Sequence, residues 1–68
     1  MSVASISEIK ASSKVSFEDA IKQGVKRAAK TLRNVKSAWI QNQEVSINEN
    51  GEISEYRVHL KLTFVLDD

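Results

Sequence analysis

The chain lacks cysteine altogether and contains a single histidine, His59, among its 68 residues. The absence of cysteine excludes disulfides and thiolate metal sites, and one histidine cannot build a site with several imidazole ligands. Small folds commonly add a disulfide, a metal or oligomerisation, because a core of this size rarely supplies more than about 3–5 kcal/mol. Oligomerisation is the device that remains. The sequence therefore predicts self-assembly of a single domain that covers residues 1–68.

Long apolar runs and a strong charge of either sign are also missing. No stretch approaches the roughly 18 apolar residues of a membrane-spanning helix, and the amino terminus shows no signal-peptide pattern. Ten basic and nine acidic residues give a net charge of +1. That balance argues against nucleic-acid binding, which needs many uncompensated cations. We expect a cytoplasmic protein that binds neither nucleic acid nor a membrane.

Catalytic motifs are absent as well. The sequence has no nucleophile–base arrangement, no glycine-rich phosphate loop and no HExxH pattern. His59 could act as an acid or base, but nothing near it in the sequence suggests a dedicated partner. We therefore expect a protein that is not an enzyme.

The clearest positive feature is strict alternation in the last third of the chain. Apolar residues alternate there with polar or smaller ones, which indicates a long strand with one buried face. The first set is Tyr56, Val58, Leu60, Leu62, Phe64 and Leu66, and the second is Arg57, His59, Lys61, Thr63 and Val65.

An amphipathic helix is predicted upstream of this strand, after a first strand at residues 2–11 and a turn at residues 12–14. Ser16 suits the N-cap, and Glu18 and Asp19 approximate a capping box. Apolar residues follow at three- and four-residue spacing as far as position 35. They are Phe17, Ala20, Ile21, Val25, Ala28, Leu32 and Val35. Gly24 interrupts the helix, which suggests either a close approach by another backbone or simple tolerance.

The last two strands are predicted to form a hairpin around Asn50-Gly51, since both residues tolerate positive φ. A two-residue loop would place Trp39, Val45 and Ile47 on the face of Tyr56 to Leu66. A three-residue loop with a bulge at Gly51 would move them to the face of Arg57, His59 and Lys61. The sequence leaves both registers open.

Together these elements predict an α+β fold with the order βαββ. The first two strands run the same way if the helix returns between them, and the last strand opposes both. A three-stranded antiparallel sheet then needs the last strand in its centre, which gives the order 1-3-2. Two exposed edges remain, and exposed edges invite pairing with other subunits.

A cationic stretch runs through the second half of the predicted helix and beyond it. It contains no acidic residue and admits two interpretations, a surface for phosphate or an acidic partner, or a solvated helix face whose cations complement the helix dipole. Its members are Lys22, Lys26, Arg27, Lys30, Arg33 and Lys36.

Over nearly its whole length the chain resembles the dodecin family. The resemblance rests on the order and spacing of three segments, at residues 12–20, 27–34 and 58–64. They read Ser-Ser followed by Ser-Phe-Glu-Asp-Ala, then Arg-Ala-Ala-Lys-Thr-Leu-Arg-Asn, then Val-His-Leu-Lys-Leu-Thr-Phe. The resemblance implies a three-stranded antiparallel sheet wrapped around one helix and a homododecamer. It also implies storage or sequestration of a flavin, such as riboflavin or FMN, stacked between tryptophans of symmetry-related copies.

The same resemblance implies the flavin-binding residues. Trp39 would stack on the flavin, although the family's tryptophan aligns with Ser37, two residues earlier. Arg57 occupies the position of the family's glutamine. Apart from the resemblance, Gln41, Gln43 and Arg57 could supply polar edges for a planar ligand stacked on Trp39. Arginine can donate hydrogen bonds but cannot accept them. The Tyr56-Arg57 pair also resembles relatives without a flavin site. The alternative is therefore an assembly that binds no flavin, either a scaffold or a protein that binds a cation such as calcium.

Other side chains admit a structural interpretation beside the functional one. Trp39 could instead pack against Leu62 or anchor a subunit interface. Arg57, His59 and Lys61 could pair with Glu44 or Glu55 across the strands. Four acids offer oxygen ligands without the spacing of a calcium loop, so we predict no metal site within the chain. These acids are Glu49, Glu52, Asp67 and Asp68.

Overall fold

The fold follows the predicted order of one helix and three strands. A computed structural model describes residues 3–66. Strand β1 (Val3–Ser13) precedes helix α1 (Phe17–Ala28), and strands β2 (Val35–Ile47) and β3 (Ile53–Leu66) follow. The strands form one antiparallel sheet in the order β1-β3-β2. The α+β class and the order 1-3-2 are confirmed, while Ser2, Asp67 and Asp68 lie outside the described residues.

The alternation in β3 separates the two faces of the sheet. Val58, Leu60 and Leu62 are 2%, 0% and 0% exposed and form the core with Ala20 and Ala28 of α1. We call this side the helix face. The opposite side, which carries Arg57, His59 and Lys61 of β3, is called the open face. In β1, Ile9 packs on the helix face and Ile6 lies on the open face, because they pair with Leu60 and Thr63 respectively.

Helix α1 begins after Ser16, as predicted. The backbone of Ser16 is extended, and its Oγ accepts a hydrogen bond from the amide of Asp19 at 3.0 Å. The carboxylate of Asp19 accepts hydrogen bonds from Ser13 Oγ and Gln23 Nε2. Ser13, which the sequence suggested was part of a turn, is the last residue of β1. Its hydroxyl thus ties the end of that strand to the first turn of the helix.

Removing the N-cap hydroxyl should weaken the fold measurably. We expect Ser16→Ala to lower the free energy of unfolding by about 1 kcal/mol, because the amide of Asp19 loses its acceptor. Urea denaturation followed by circular dichroism measures the change. Ser12→Ala removes a hydroxyl from an exposed position of β1 and serves as the control. Equal stability of the two variants would show that the cap contributes nothing.

The predicted continuation of the helix to Val35 is wrong. The amides of Thr31 and Leu32 both donate to the carbonyl of Ala28, at 3.1 and 2.8 Å, so the chain tightens into turns after that residue. Asn34 then adopts a left-handed conformation with φ of 59°, and β2 starts at Val35. Leu32 and Val35 nevertheless pack against the core. The apolar spacing therefore predicted correctly that these two residues pack against the core, but it did not predict the conformation of the backbone.

The hairpin between β2 and β3 has the three-residue loop of the second predicted register. The amide of Asn48 donates to the carbonyl of Glu52 at 2.9 Å, and Gly51 has φ of 78°. A tight turn followed by a left-handed glycine is a common three-residue hairpin connection. The side chain of Asn48 stabilises the loop, because its Oδ1 accepts from the amides of Asn50 and Glu52 at 2.9 and 3.0 Å.

Of the three irregularities in the pairing of β2 with β3, the two nearest the hairpin decide the faces on which Val45 and Trp39 lie. The register shifts between Ser46 and Ile47, where Ser54 of β3 is skipped, and again between Ile40 and Asn42, where Gln41 is skipped. Val45 consequently lies opposite Tyr56 on the helix face, whereas Trp39 lies opposite Lys61 on the open face. The two-residue register therefore predicts the correct face for Val45 and the wrong face for Trp39, and the three-residue register does the reverse.

Helix α1 covers only part of the sheet, since it packs against β1 and β3. Ala38, Ile40 and Gln43 of β2 lie on the helix face, opposite Leu62, Leu60 and Val58, yet all three are exposed. The β2 side of the helix face is therefore left uncovered within one chain.

Candidate functional site

The open face brings polar side chains from all three strands together. Cross-strand pairing on this face aligns Glu8 of β1 with Lys61, Lys10 with His59, and Asn42 of β2 with His59 from the other side. Since directly opposed residues lie on the same face of an antiparallel pair, their side chains are neighbours. The face is thus a polar surface with a large aromatic ring, Trp39, at its β2 margin.

Trp39 is the most exposed aromatic candidate on this surface, with 69% of its area accessible. Lys61 Nζ lies 5.8 Å from the centroid of its ring, within the range of a cation–π contact. Packing on Leu62, one of the two structural alternatives for Trp39, is wrong, because the register turns the indole to the other face of the sheet. One face of the chain therefore carries an aromatic plate beside a cation.

Gln41 lies at the irregularity where the pairing of β2 with β3 skips one residue. It is exposed, and it follows Trp39 by two residues. A bulge of this kind leaves the extra residue without a direct partner across the ladder and re-aims the strand locally. Gln41 is therefore an exposed residue close to Trp39 along β2.

Arg57 is held by partners within the chain. Its Nε donates to Glu44 Oε1 at 3.2 Å, and its Nη1 donates to Ser46 Oγ and, at 3.3 Å, to Glu55 Oε1. The hydrogen bond and the negative charge of Glu44 raise the pKa of Arg57 above its ordinary value, and Glu55 adds to this effect while partial desolvation opposes it. The predicted cross-strand pairing of Arg57 with Glu44 is confirmed, whereas Glu55 contacts Arg57 from the same strand, two residues away.

Trp39 and Arg57 do not come together within one chain. Trp39 lies opposite Lys61, which is four residues from Arg57 along β3, so the two positions are about 13 Å apart along the strand. The structure instead brings Trp39 together with Lys61. Sequence reasoning placed Lys61 on this face, but the register that pairs it with the indole became visible only in the structure.

Glu8 of β1 is a charged neighbour that sequence reasoning missed. Its carboxylate lies 3.1 Å from His59 Nε2 and 3.9 Å from Lys61 Nζ. The sequence offered Glu44 and Glu55 as partners for these two residues, but those acids lie with Arg57. The predicted strand order could have indicated this contact, because a central β3 has β1 as its neighbour on the side opposite β2.

Within residues 3–66, no group of three or more histidine, cysteine or acidic side chains is arranged to hold a metal ion. Across the same described range, no helix is long and apolar enough to cross a membrane. The acids of the open face are engaged with Arg57, His59 and Lys61 as described above.

Comparison with protein families gives a match over almost the whole chain. The sequence model of the Dodecin family matches residues 3–67. The chain belongs to the dodecin family. A comparison with curated protein sequences gave no significant match.

Solved dodecin structures have the same fold as this family member. A dodecin variant from Thermus thermophilus is 31% identical, with a TM-score of 0.91 and coverage of 100% of both chains. The dodecin from Streptomyces davaonensis is 27% identical, with a TM-score of 0.91 and coverage of 98% of this chain and 97% of that one. A calcium-chelating dodecin from Mycobacterium tuberculosis, described with a calcium-binding site, is 26% identical over 96% of this chain and 91% of its own, with a TM-score of 0.81.

Proposed function

We propose that this dodecin assembles into a homo-oligomer, with the dodecamer implied by its family as the expected state, and that the assembly stores or sequesters a flavin bound at Trp39. The observation that carries the proposal is the indole of Trp39, which is 69% exposed beside Lys61 on a polar face. A soluble monomer gains nothing from such an exposed ring, whereas an interface or a planar ligand would cover it. The proposed role is binding and storage in the cytoplasm, without catalysis.

The shape of the chain supports assembly. Its radius of gyration is 14.1 Å, whereas a compact domain of this length would have about 11 Å. Its accessible surface of 5218 Å² also exceeds the roughly 4,300 Å² expected for a folded monomer of this mass. The excess surface includes apolar side chains on both faces and at the hairpin, which association would remove from water. Among them are Ile6, Trp39, Ile40, Ile47 and Ile53.

The ring of Trp39 supports a flavin as the ligand. A flavin is a planar aromatic system, and such systems stack on tryptophan when the geometry allows. Symmetry in an assembly could bring two indoles to the same ligand, which would enclose it between apolar plates. Gln41 is proposed to hydrogen-bond the edge of the ring system. Arg57 of the same chain is too far along β3 to join Trp39, so its proposed contribution to flavin binding comes from a neighbouring copy.

Loss of the indole should abolish the flavin site. We expect Trp39→Ala to weaken binding of riboflavin or FMN at least tenfold, because the stacking surface is gone, and Trp39→Phe to weaken it less. Quenching of flavin fluorescence during titration with protein measures both affinities. Ile6→Ala, which truncates a 64% exposed side chain elsewhere on the open face, is the matched control. Light scattering on every variant shows whether the assembly is intact.

An unchanged flavin signal at high concentrations of wild-type protein would contradict the flavin proposal. A monomer at low micromolar concentration, measured by light scattering, would contradict the assembly proposal. A preference for FMN over riboflavin would indicate that a cation near the ring, such as Lys61, contacts the phosphate.

The second candidate is an assembly that binds calcium in place of flavin. It is favoured by one observation, the calcium site described for the relative from Mycobacterium tuberculosis. The described part of one chain holds no cluster of suitable ligands, so such a site would combine acids from neighbouring copies. Calorimetric titration with calcium, before and after treatment with a chelator, distinguishes this candidate from a flavin store.

A further inference from the structure

A groove between α1 and β1 has an apolar floor and a cationic rim. It encloses about 830 Å³ and is open to solvent. Ile9 and Ala11 of β1 and Gly24, Ala28 and Leu32 form its floor. Its charged lining residues are all basic: Arg27 and Lys30 form the rim, and Lys10 of β1 lies beside them with its side chain on the open face. Two of these three belong to the cationic stretch of the sequence, so that stretch is more than a uniformly solvated helix face.

The tip of the β2–β3 hairpin has the complementary character. Ile47 and Ile53 lie directly opposite each other and are 62% and 50% exposed. Beyond them, the loop carries Glu49 and Glu52, and the chain from position 45 to position 56 contains no basic residue. Asn48 fixes the loop through its side-chain hydrogen bonds, so the tip is a preformed knob with an apolar base and two acids.

This knob cannot reach the groove of its own chain. Ile9 in the groove lies opposite Leu60 of β3, and Leu60 is seven residues from Ile53. Seven residues of extended strand span about 23 Å, and β3 is paired on both sides along this length. Contact between the two features therefore requires a second copy of the chain.

We propose that the hairpin tip of one copy docks in the α1–β1 groove of a neighbouring copy. Ile47 and Ile53 cover the apolar floor, and Glu49 and Glu52 meet Arg27 and Lys30 at the rim. The proposal rests on the proposed self-assembly and names one of its contacts. Because knob and groove are different surfaces of the same chain, the contact is head-to-tail and generates closed rings when the rotation between copies allows closure.

Charge reversal tests the contact from both sides. The hairpin variant combines Glu49→Lys with Glu52→Lys, and the groove variant combines Arg27→Glu with Lys30→Glu. We expect each variant alone to raise the concentration at half-assembly at least tenfold, measured by light scattering and sedimentation velocity. A chain that carries all four substitutions should recover assembly, because opposite charges face each other again. Recovery also shows that the substitutions did not simply prevent folding.

The matched control reverses two cations outside the groove, through Lys14→Glu and Lys26→Glu. It changes the net charge of the chain as much as the groove variant does, and it should leave the assembly near its wild-type mass. An equal mixture of the hairpin variant and the groove variant should also assemble, since the reversed tip of the first fits the reversed groove of the second.

A hairpin variant that assembles like wild type would overturn the proposal while leaving self-assembly intact. Loss of assembly in the groove variant alone, without recovery in the fourfold variant, would also overturn it and would indicate another occupant of the groove. Adding inorganic phosphate to the wild type should not dissociate the assembly beyond the effect of equal ionic strength. A wild-type monomer would instead contradict the proposed function itself.

Discussion

Replacing Leu60 by alanine is expected to leave an isolated chain largely unfolded. Leu60 is 0% exposed at the centre of the sheet, where it lies opposite Ile9 of β1 and Ile40 of β2. Truncating a buried leucine to alanine typically costs about 2–5 kcal/mol, because the apolar contacts are lost and a cavity remains. A core in a domain this small rarely supplies more than about 3–5 kcal/mol. The expected loss therefore equals most of the stability that one chain can have.

Urea denaturation followed by far-ultraviolet circular dichroism, at several protein concentrations, measures this effect. If assembly stabilises the fold, Leu60→Ala should regain structure as the concentration rises, since subunit association is linked to folding. Leu60→Met keeps the volume and should cost less than about 1.5 kcal/mol. Val15→Ala truncates an apolar side chain at a 73% exposed position and is the control. A Leu60→Ala chain as stable as this control would contradict the assignment of Leu60 to the core.

The strand order could be predicted because β3 carries an unusually clear signal. Its alternation continues from Tyr56 to Leu66, and the buried residues Val58, Leu60 and Leu62 are those that the pattern selects. An antiparallel sheet with only three strands then has few possible arrangements. The strand order was predictable because so few arrangements are possible, and not because individual residues have strong secondary-structure propensities.

The end of the helix could not be predicted from the same kind of pattern. Leu32 and Val35 continue the helical spacing and do contact the core, but Asn34 between them is left-handed. Asparagine is one of the few residues that adopts this conformation readily. The helical spacing of apolar residues therefore continues beyond the end of the helix, because the turns after Ala28 also direct Leu32 and Val35 towards the core.

The face on which Trp39 lies was not predictable from composition. It depends on two irregularities, an extra residue in β3 at Ser54 and an extra residue in β2 at Gln41, each of which shifts the pairing of the two strands by one residue. Neither position carries a glycine or another clear bulge signal. The three-residue loop gives the correct face for Trp39 because the two shifts, one in each strand, cancel before that residue is reached. Val45 lies between the two shifts and is therefore on the other face.

Adding a single methyl group at Gly24 should destabilise the fold, although glycine normally weakens a helix. Replacing a glycine in a helix interior with alanine usually stabilises by about 1 kcal/mol. Here, however, a Cβ at position 24 would lie 2.9 Å from the Cβ of Ala11 and 3.4 Å from Ile9 Cδ1. The Cβ of Ala11 is attached directly to the backbone of β1, so it cannot rotate away and the helix itself must move. Overpacking of this kind typically costs about 1–3 kcal/mol, and we expect Gly24→Ala to be less stable than the wild type.

A second substitution at Ala11, whose Cβ is the nearest atom to position 24, tests this explanation. Combined with Ala11→Gly, the substitution at Gly24 should regain part of the lost stability, because the contact between the two Cβ atoms no longer exists. Contacting residues commonly show coupling energies of about 0.5–3 kcal/mol in such cycles. Lys26→Ala, at an exposed position of the same helix, controls for the change in helix propensity. If Gly24→Ala proved more stable than the wild type in urea denaturation, Gly24 would be a tolerated residue and not the point where α1 approaches β1. A double variant no more stable than Gly24→Ala alone would show that the strain arises elsewhere in the packing of the helix.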